Sequence, residues 1–111
     1  MDIQEQRQGA VTVIKPCGPL ALGDADQFKT TLLDAMSRSL GRLVIDATAM
    51  AYVDSRGLEV LVEASDEASQ GGHALRVFGL NETVREVLEL TDLTGKFEHF
   101  EDVTQAVRSY L

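Results

Sequence analysis

Residues 42–72 read RLVIDATAMAYVDSRGLEVLVEASDEASQGG, and the fold turns on how this stretch divides. Its opening, Leu43-Val44-Ile45-Asp46, is a short apolar run bounded by Gly41 and by a loop of small residues. That pattern predicts a strand buried on both faces, central in a sheet. From Leu58 the period changes: Leu58, Leu61, Val62, Ser65 and Ala68 or Ser69 recur at helical spacing until Gly71-Gly72 stops them. Between the two lies Asp54-Ser55-Arg56-Gly57, where Asp54 or Ser55 is expected to cap the helix by accepting a hydrogen bond from a free backbone N–H.

Outward from this centre the same two periods alternate. Toward the N-terminus, DIQEQRQ and AVTVIKPCG, split by Gly9, read as a hairpin. From Asp24, read as a helix cap, Ala25, Phe28, Leu32, Leu33, Met36 and Leu40 form an amphipathic helix that Gly41 ends. Toward the C-terminus, HALRVFG is a strand, and Asn81 opens a helix burying Val84, Val87, Leu88 and Thr91. KFEHF is a last strand, and Asp102 caps a helix whose inner face is Val103, Ala106, Val107 and Tyr110. The order β-β-α-β-α-β-α-β-α in one domain over residues 1–111 predicts an α/β fold with a mixed, mostly parallel sheet, because each crossover helix returns the chain in the same direction.

Composition narrows the chemistry. A net charge of -8 disfavours nucleic acid and anionic lipid, which need a basic patch; Arg76, Arg85 and Lys96 are scattered. No apolar run approaches the roughly 20 residues of a membrane span, and the polar N-terminus is unlike a signal peptide, so a cytoplasmic protein without membrane insertion is expected. One cysteine, Cys17, and two distant histidines, His73 and His99, offer no disulfide and no metal-ligand spacing; no metal or cofactor is expected. Ser55 lacks the flanking glycines of a nucleophile elbow and a neighbouring histidine, and the loop lacks the glycines and lysine of a phosphate cradle. The sequence therefore predicts no enzymatic activity. A hydroxyl at the positive end of a helix does suit phosphorylation as a switch.

The stretch from Arg42 to Val107 resembles a STAS domain, the fold of bacterial anti-sigma-factor antagonists. The resemblance rests on the acidic strand end followed by Asp54-Ser55-Arg56-Gly57 and a helix, the Gly-Gly turn, the LTDLTGKF passage at 90–97, and CGPLALGDA at 17–25. It implies a partner switch: the unphosphorylated domain binds an anti-sigma factor that is also a serine kinase with a histidine-kinase-type ATP site. Phosphorylation at the start of the second helix ends that contact, and a serine phosphatase reverses it. The family's usual acceptor immediately precedes the glycine, where this chain has Arg56; Ser55 lies one residue earlier.

Three readings are open. Ser55 is an alternative acceptor with Arg56 as its phosphate partner; the domain is a constitutive binder using Arg56 as an interface contact; or it is a non-phosphorylated subunit of a lipid-transport ATPase or a sensory adaptor. The expected partner-binding residues are Asp54, Ser55, Arg56, Gly57, Glu59 and Asp24, with Ala21 replacing an acidic residue of the family's first loop. Glu59 and Glu63, four apart, predict an acidic face on the second helix. Asp46 either supports the Asp54 loop or ends its strand in solvent, and Tyr52 and Val53 are expected to pack beneath the loop.

Overall fold

The computed structural model describes all residues from Met1 to Leu111. The elements are β1 (Asp2–Gln8), β2 (Val11–Cys17), α1 (Leu22–Arg38), β3 (Leu43–Asp46), α2 (Ser55–Gln70), β4 (Leu75–Phe78), α3 (Glu82–Leu90), a 3-10 turn (Thr94–Lys96), β5 (Phe97–Phe100) and α4 (Val103–Arg108). They form a five-stranded sheet in the order β1-β2-β3-β4-β5. The hairpin β1–β2 is antiparallel and every other pairing is parallel. The predicted order of elements and the central place of β3 are both observed.

Strand alternation divides the core between two faces. Ile14, Leu43, Ile45, Leu75, Val77 and Phe97 join Phe28 and Leu32 of α1, Val60 and Leu61 of α2, and Val84 and Leu88 of α3 in the larger cluster. Val11, Val13, Val44 and Phe78 join Ala106 of α4 in a smaller one, edged by Phe100, Val103, Val107 and Tyr110. Three helices thus cover one face and α4 the other, on the inner face the sequence predicts for it.

Several details differ from the sequence reading. Asp24 does not cap α1: the cap position is Ala21, with no side-chain bond, and Asp24 lies in the first turn with its carboxylate 3.3 Å from the Met1 ammonium. Leu40, expected on the inner stripe of α1, lies beyond the helix end with a φ of 54° and 76 % of its surface exposed. The Gly41 N–H reaches back to the Met36 carbonyl, so the chain has already left helical geometry where the four-residue period would place Leu40 inside. On α2 the buried stripe is Val60, Leu61, Ala64, Ser65 and Ala68, while Leu58 and Val62 sit on its edge and Ser69 is exposed. Thr91, past the end of α3, is exposed.

Candidate functional site

The C-terminal ends of β2 and β3 and the N-termini of α1 and α2 meet at the Asp54 loop. The loop is held from three sides. An isolated parallel bridge pairs Leu20 with Val53: the Leu20 N–H donates to the Tyr52 carbonyl at 3.1 Å and the Asp54 N–H to the Leu20 carbonyl at 3.1 Å. Asn81 holds another side, its Oδ1 capping α3 through the Val84 N–H while its Nδ2 donates to the Ala51 carbonyl at 2.9 Å. Only the capping half of that role is visible in the sequence.

The third restraint is Asp54. Its Oδ1 accepts from the Gly57 N–H at 2.8 Å, the expected cap of α2, and its Oδ2 accepts from the Leu22 N–H of α1 at 2.9 Å. One carboxylate therefore satisfies free donors of two helices, where the dipoles also favour negative charge. These donors, Gly57 foremost, hold its carboxyl below the ordinary value against the opposing effect of burial. Asp46 does not touch Asp54; its Oδ1 accepts from Thr48 N and Oγ, closing a local turn where β3 ends.

Gly57 is buried. A Cβ there would lie 2.0 Å from the Leu20 carbonyl oxygen, so only glycine lets α2 start this close to the β2–α1 loop. Its contribution to the site is this close approach, with its N–H spent on Asp54. Ser55, by contrast, is exposed in the first turn of α2.

Arg56 is engaged within the chain. Its Nε and Nη2 donate to Asp26 Oδ1 of α1 at 2.9 and 2.6 Å, and its Nη1 donates to Glu59 at 2.9 Å and lies 3.5 Å from Glu63. Glu63 also meets Lys29 at 2.6 Å, which holds its carboxyl below the ordinary value, with Arg56 adding to the effect. The acidic face expected from Glu59 and Glu63 is thus part of an α1–α2 clasp of three carboxylates and two cations. Sequence spacing shows the Glu59 half; Asp26, 30 positions away, gives no local signal.

Two large apolar side chains beside the Asp54 loop are exposed. Leu22, the first residue of α1, has φ 52° and is 76 % exposed. Tyr52, expected to pack under the loop, is 50 % exposed, whereas Val53 does pack against the core. A non-glycine residue in the left-handed region is uncommon and costs free energy, and at Leu22 the bond to Asp54 holds it there. Asp24 lies on the same first turn of α1. The structure therefore gathers Asp54, Ser55, Arg56, Glu59 and Asp24 around the adjoining first turns of two helices. No group of three or more His, Cys, Asp or Glu side chains here or elsewhere is arranged to hold a metal ion, and no helix is long and apolar enough to cross a membrane.

The architecture has close counterparts. A Thermotoga maritima protein assigned as an anti-sigma factor antagonist superposes with a TM-score of 0.88 at 21 % identity, over 96 % of this chain and 92 % of that one. An anti-sigma-factor antagonist (STAS) domain protein of Planctomyces limnophilus gives 0.86 at 22 % identity, over 98 % and 97 %. The anti-sigma factor antagonist SpoIIAA in its unphosphorylated form gives 0.74 at 13 % identity, over 98 % and 96 %. At these identities the likeness concerns the fold. The family model of the STAS domain matches residues 2–106, and with a sheet and helix order of that same kind the chain belongs to the STAS domain family.

Proposed function

We propose that this domain is a regulatory protein-interaction module of the anti-sigma-factor antagonist type, without catalytic activity of its own. Its partner is an anti-sigma factor with serine-kinase activity and a histidine-kinase-type ATP site. The observation that carries this reading is the exposure of Leu22 and Tyr52 beside the Asp54 loop, to which Leu22 is bonded and of which Tyr52 is part. Two large apolar groups exposed beside one restrained loop offer a partner apolar contact area, and tyrosine is a frequent anchor of such surfaces. Asp24, Asp54, Ser55, Arg56 and Glu59 form its polar part, and Gly57 sets its shape. Such a partner places the domain in the cytoplasm.

Ser55 is the phosphorylation site in this proposal. A phosphate there adds about two negative charges beside Asp26, Glu59 and Glu63 and must compete with them for Arg56. Its effect on docking is accordingly repulsive: modification by the kinase ends binding, and a serine phosphatase restores it.

The test combines binding with mass spectrometry. Each histidine-kinase-type serine kinase encoded in the same genome is mixed with the domain, and complex formation and phosphate transfer from ATP are recorded. One kinase should bind wild type, lose affinity for Leu22→Asp and Tyr52→Asp, and add one phosphate that Ser55→Ala abolishes. Absence of binding to every such kinase refutes the docking role. Binding without phosphate transfer leaves Arg56 as the mark of an unswitched binder and removes Ser55 from the mechanism.

A further inference from the structure

Beside the Asp54 loop, and sharing Ser55 and Glu59 with it, the outward side of α2 carries a groove. Leu58 and Val62, one turn apart on α2, and Leu93, from the turn after α3, make its apolar part; Ser55, Glu59 and Glu63 complete the lining. All three apolar side chains are half-buried, with Leu58 and Leu93 resting on the edge of the larger core. Leu58 to Val62 spans about 6 Å along the helix axis, room for one or two apolar side chains from an occupant.

The surroundings are acidic. On the α2 side, Asp26, Glu59 and Glu63 share only Arg56 and Lys29. Elsewhere on the same surface Glu82, Glu86, Glu89 and Asp92 are all exposed, Arg85 of α3 turns its Nε back to the Leu80 carbonyl at 3.1 Å, and Lys96, three residues after Leu93, is paired with Asp66 at 3.1 Å. An apolar groove lined by Glu59 and Glu63, on a chain of net charge -8, selects an occupant with an apolar ridge and cationic flanks. A second copy of this chain, at a net charge of -8, meets like charge instead.

We infer that the Leu58–Val62–Leu93 groove receives a basic amphipathic helix of the partner, seated by one or two apolar side chains and flanked by Lys or Arg. The inference rests on the docking role proposed above and specifies the chemistry of the partner beside that site.

The test needs no kinase. Two synthetic helices of about 18 residues share one leucine ridge, flanked by lysines in one peptide and glutamates in the other. Each is titrated into isotope-labelled protein at physiological ionic strength while amide NMR signals are followed. The lysine peptide should saturably shift Leu58, Val62 and Leu93, and the glutamate peptide should shift none of them. Val62→Asp and, independently, Leu93→Asn should weaken the lysine peptide by about tenfold with the fold intact by circular dichroism, whereas Leu40→Ser should not. Shifts spread over the whole acidic surface and indifferent to both groove variants overturn the inference, as does equal binding of the two peptides. If kinase docking fails while the peptide result holds, the docking role and the identity of the partner fall and only the groove's preference for a basic amphipathic helix stands; the converse removes only the groove.

Discussion

Asp54 and Leu22 are joined across two helices: the Leu22 N–H donates to Asp54 Oδ2 at 2.9 Å while Oδ1 of the same carboxylate caps α2 at Gly57. The two oxygens separate the two tasks, so substitution can separate them too. Asp54→Asn keeps one acceptor and should lose one cap; Asp54→Ala loses both. Thermal melting should show Asn between wild type and Ala, with the Ala midpoint lower by on the order of 5 to 10 °C. Equal midpoints for Asn and Ala would mean that the Leu22 bond contributes nothing. The pH dependence has a definite sign. The carboxyls of Asp54 and Glu63 are held below their ordinary values of 3.8 and 4.5, so their contribution is complete above that range and is lost as the pH falls below it. The acid-induced loss of stability should be smaller in Asp54→Ala than in wild type.

The sequence makes the local half of this arrangement legible. Strand and helix order, the central β3 and the caps at Asp54, Asn81 and Asp102 follow from short-range pattern, because periodicity and capping are short-range physics. The bonds from Asp54 to Leu22 and from Arg56 to Asp26 depend on how β2 and β3 set two helix ends side by side. No spacing rule reaches across 30 positions. The left-handed Leu22 and Leu40 are hidden for another reason: leucine is a poor choice for that geometry, so residue type points away from it. On α2, Leu61, Ser65 and Ala68 are buried as read, but Val60 and Ala64 are buried where Leu58 and Val62 sit on the edge; Leu58 and Val62 outweigh Ala64 in hydrophobicity, so residue type alone points to the wrong members of the stripe.

Two helix glycines should respond oppositely to alanine. Gly23, in the first turn of α1, has open space where a Cβ would stand, so Gly23→Ala should stabilise by about 0.5–1 kcal/mol through helix propensity alone. Gly57 gains the same propensity, but its Cβ would meet the Leu20 carbonyl oxygen at 2.0 Å, and that oxygen already accepts the Asp54 N–H. The clash, about 1–3 kcal/mol, outweighs the gain. Urea denaturation should show Gly57→Ala destabilised and Gly23→Ala stabilised; a stabilised Gly57→Ala would show that the loop yields freely.

Arg56 holds α1 to α2 through partly exposed ion pairs, and the geometry predicts a salt-sensitive clasp. Arg56→Ser strips Asp26 and Glu59 of their cation and leaves Glu63 with Lys29 alone. Its melting midpoint should fall below wild type at low ionic strength, and the gap should narrow in about 1 M NaCl, where the Debye length is only about 3 Å. A gap independent of salt would assign the role of Arg56 to packing of its aliphatic stem. The same variant places a hydroxyl immediately before Gly57, the usual acceptor position of the family, so a kinase that ignores wild type but modifies Arg56→Ser would locate the defect in that one residue.

Tyr110 ties the C-terminal end of the chain to the start of β3. Its hydroxyl accepts from the Leu43 N–H at 3.0 Å and lies within donating distance of the Leu43 and Gly41 carbonyls at 2.7 and 3.2 Å, while the Arg76 guanidinium stacks 3.7 Å from the ring centre. Tyr110→Phe keeps the ring under Arg76 and removes only the hydroxyl, leaving the Leu43 N–H without its side-chain acceptor. The expected loss is about 1 kcal/mol at neutral pH. Burial raises the phenol above its ordinary value of 10.0, so the folded state holds the proton more tightly than the unfolded chain. That contribution is fully present below pH 10 and is lost as the pH rises through the folded value. Denaturation at pH 8 and at about pH 11 should therefore show the wild-type advantage over Tyr110→Phe shrinking at the higher pH. An advantage that grows with pH would mean that the phenolate, paired with Arg76, is the form the fold prefers.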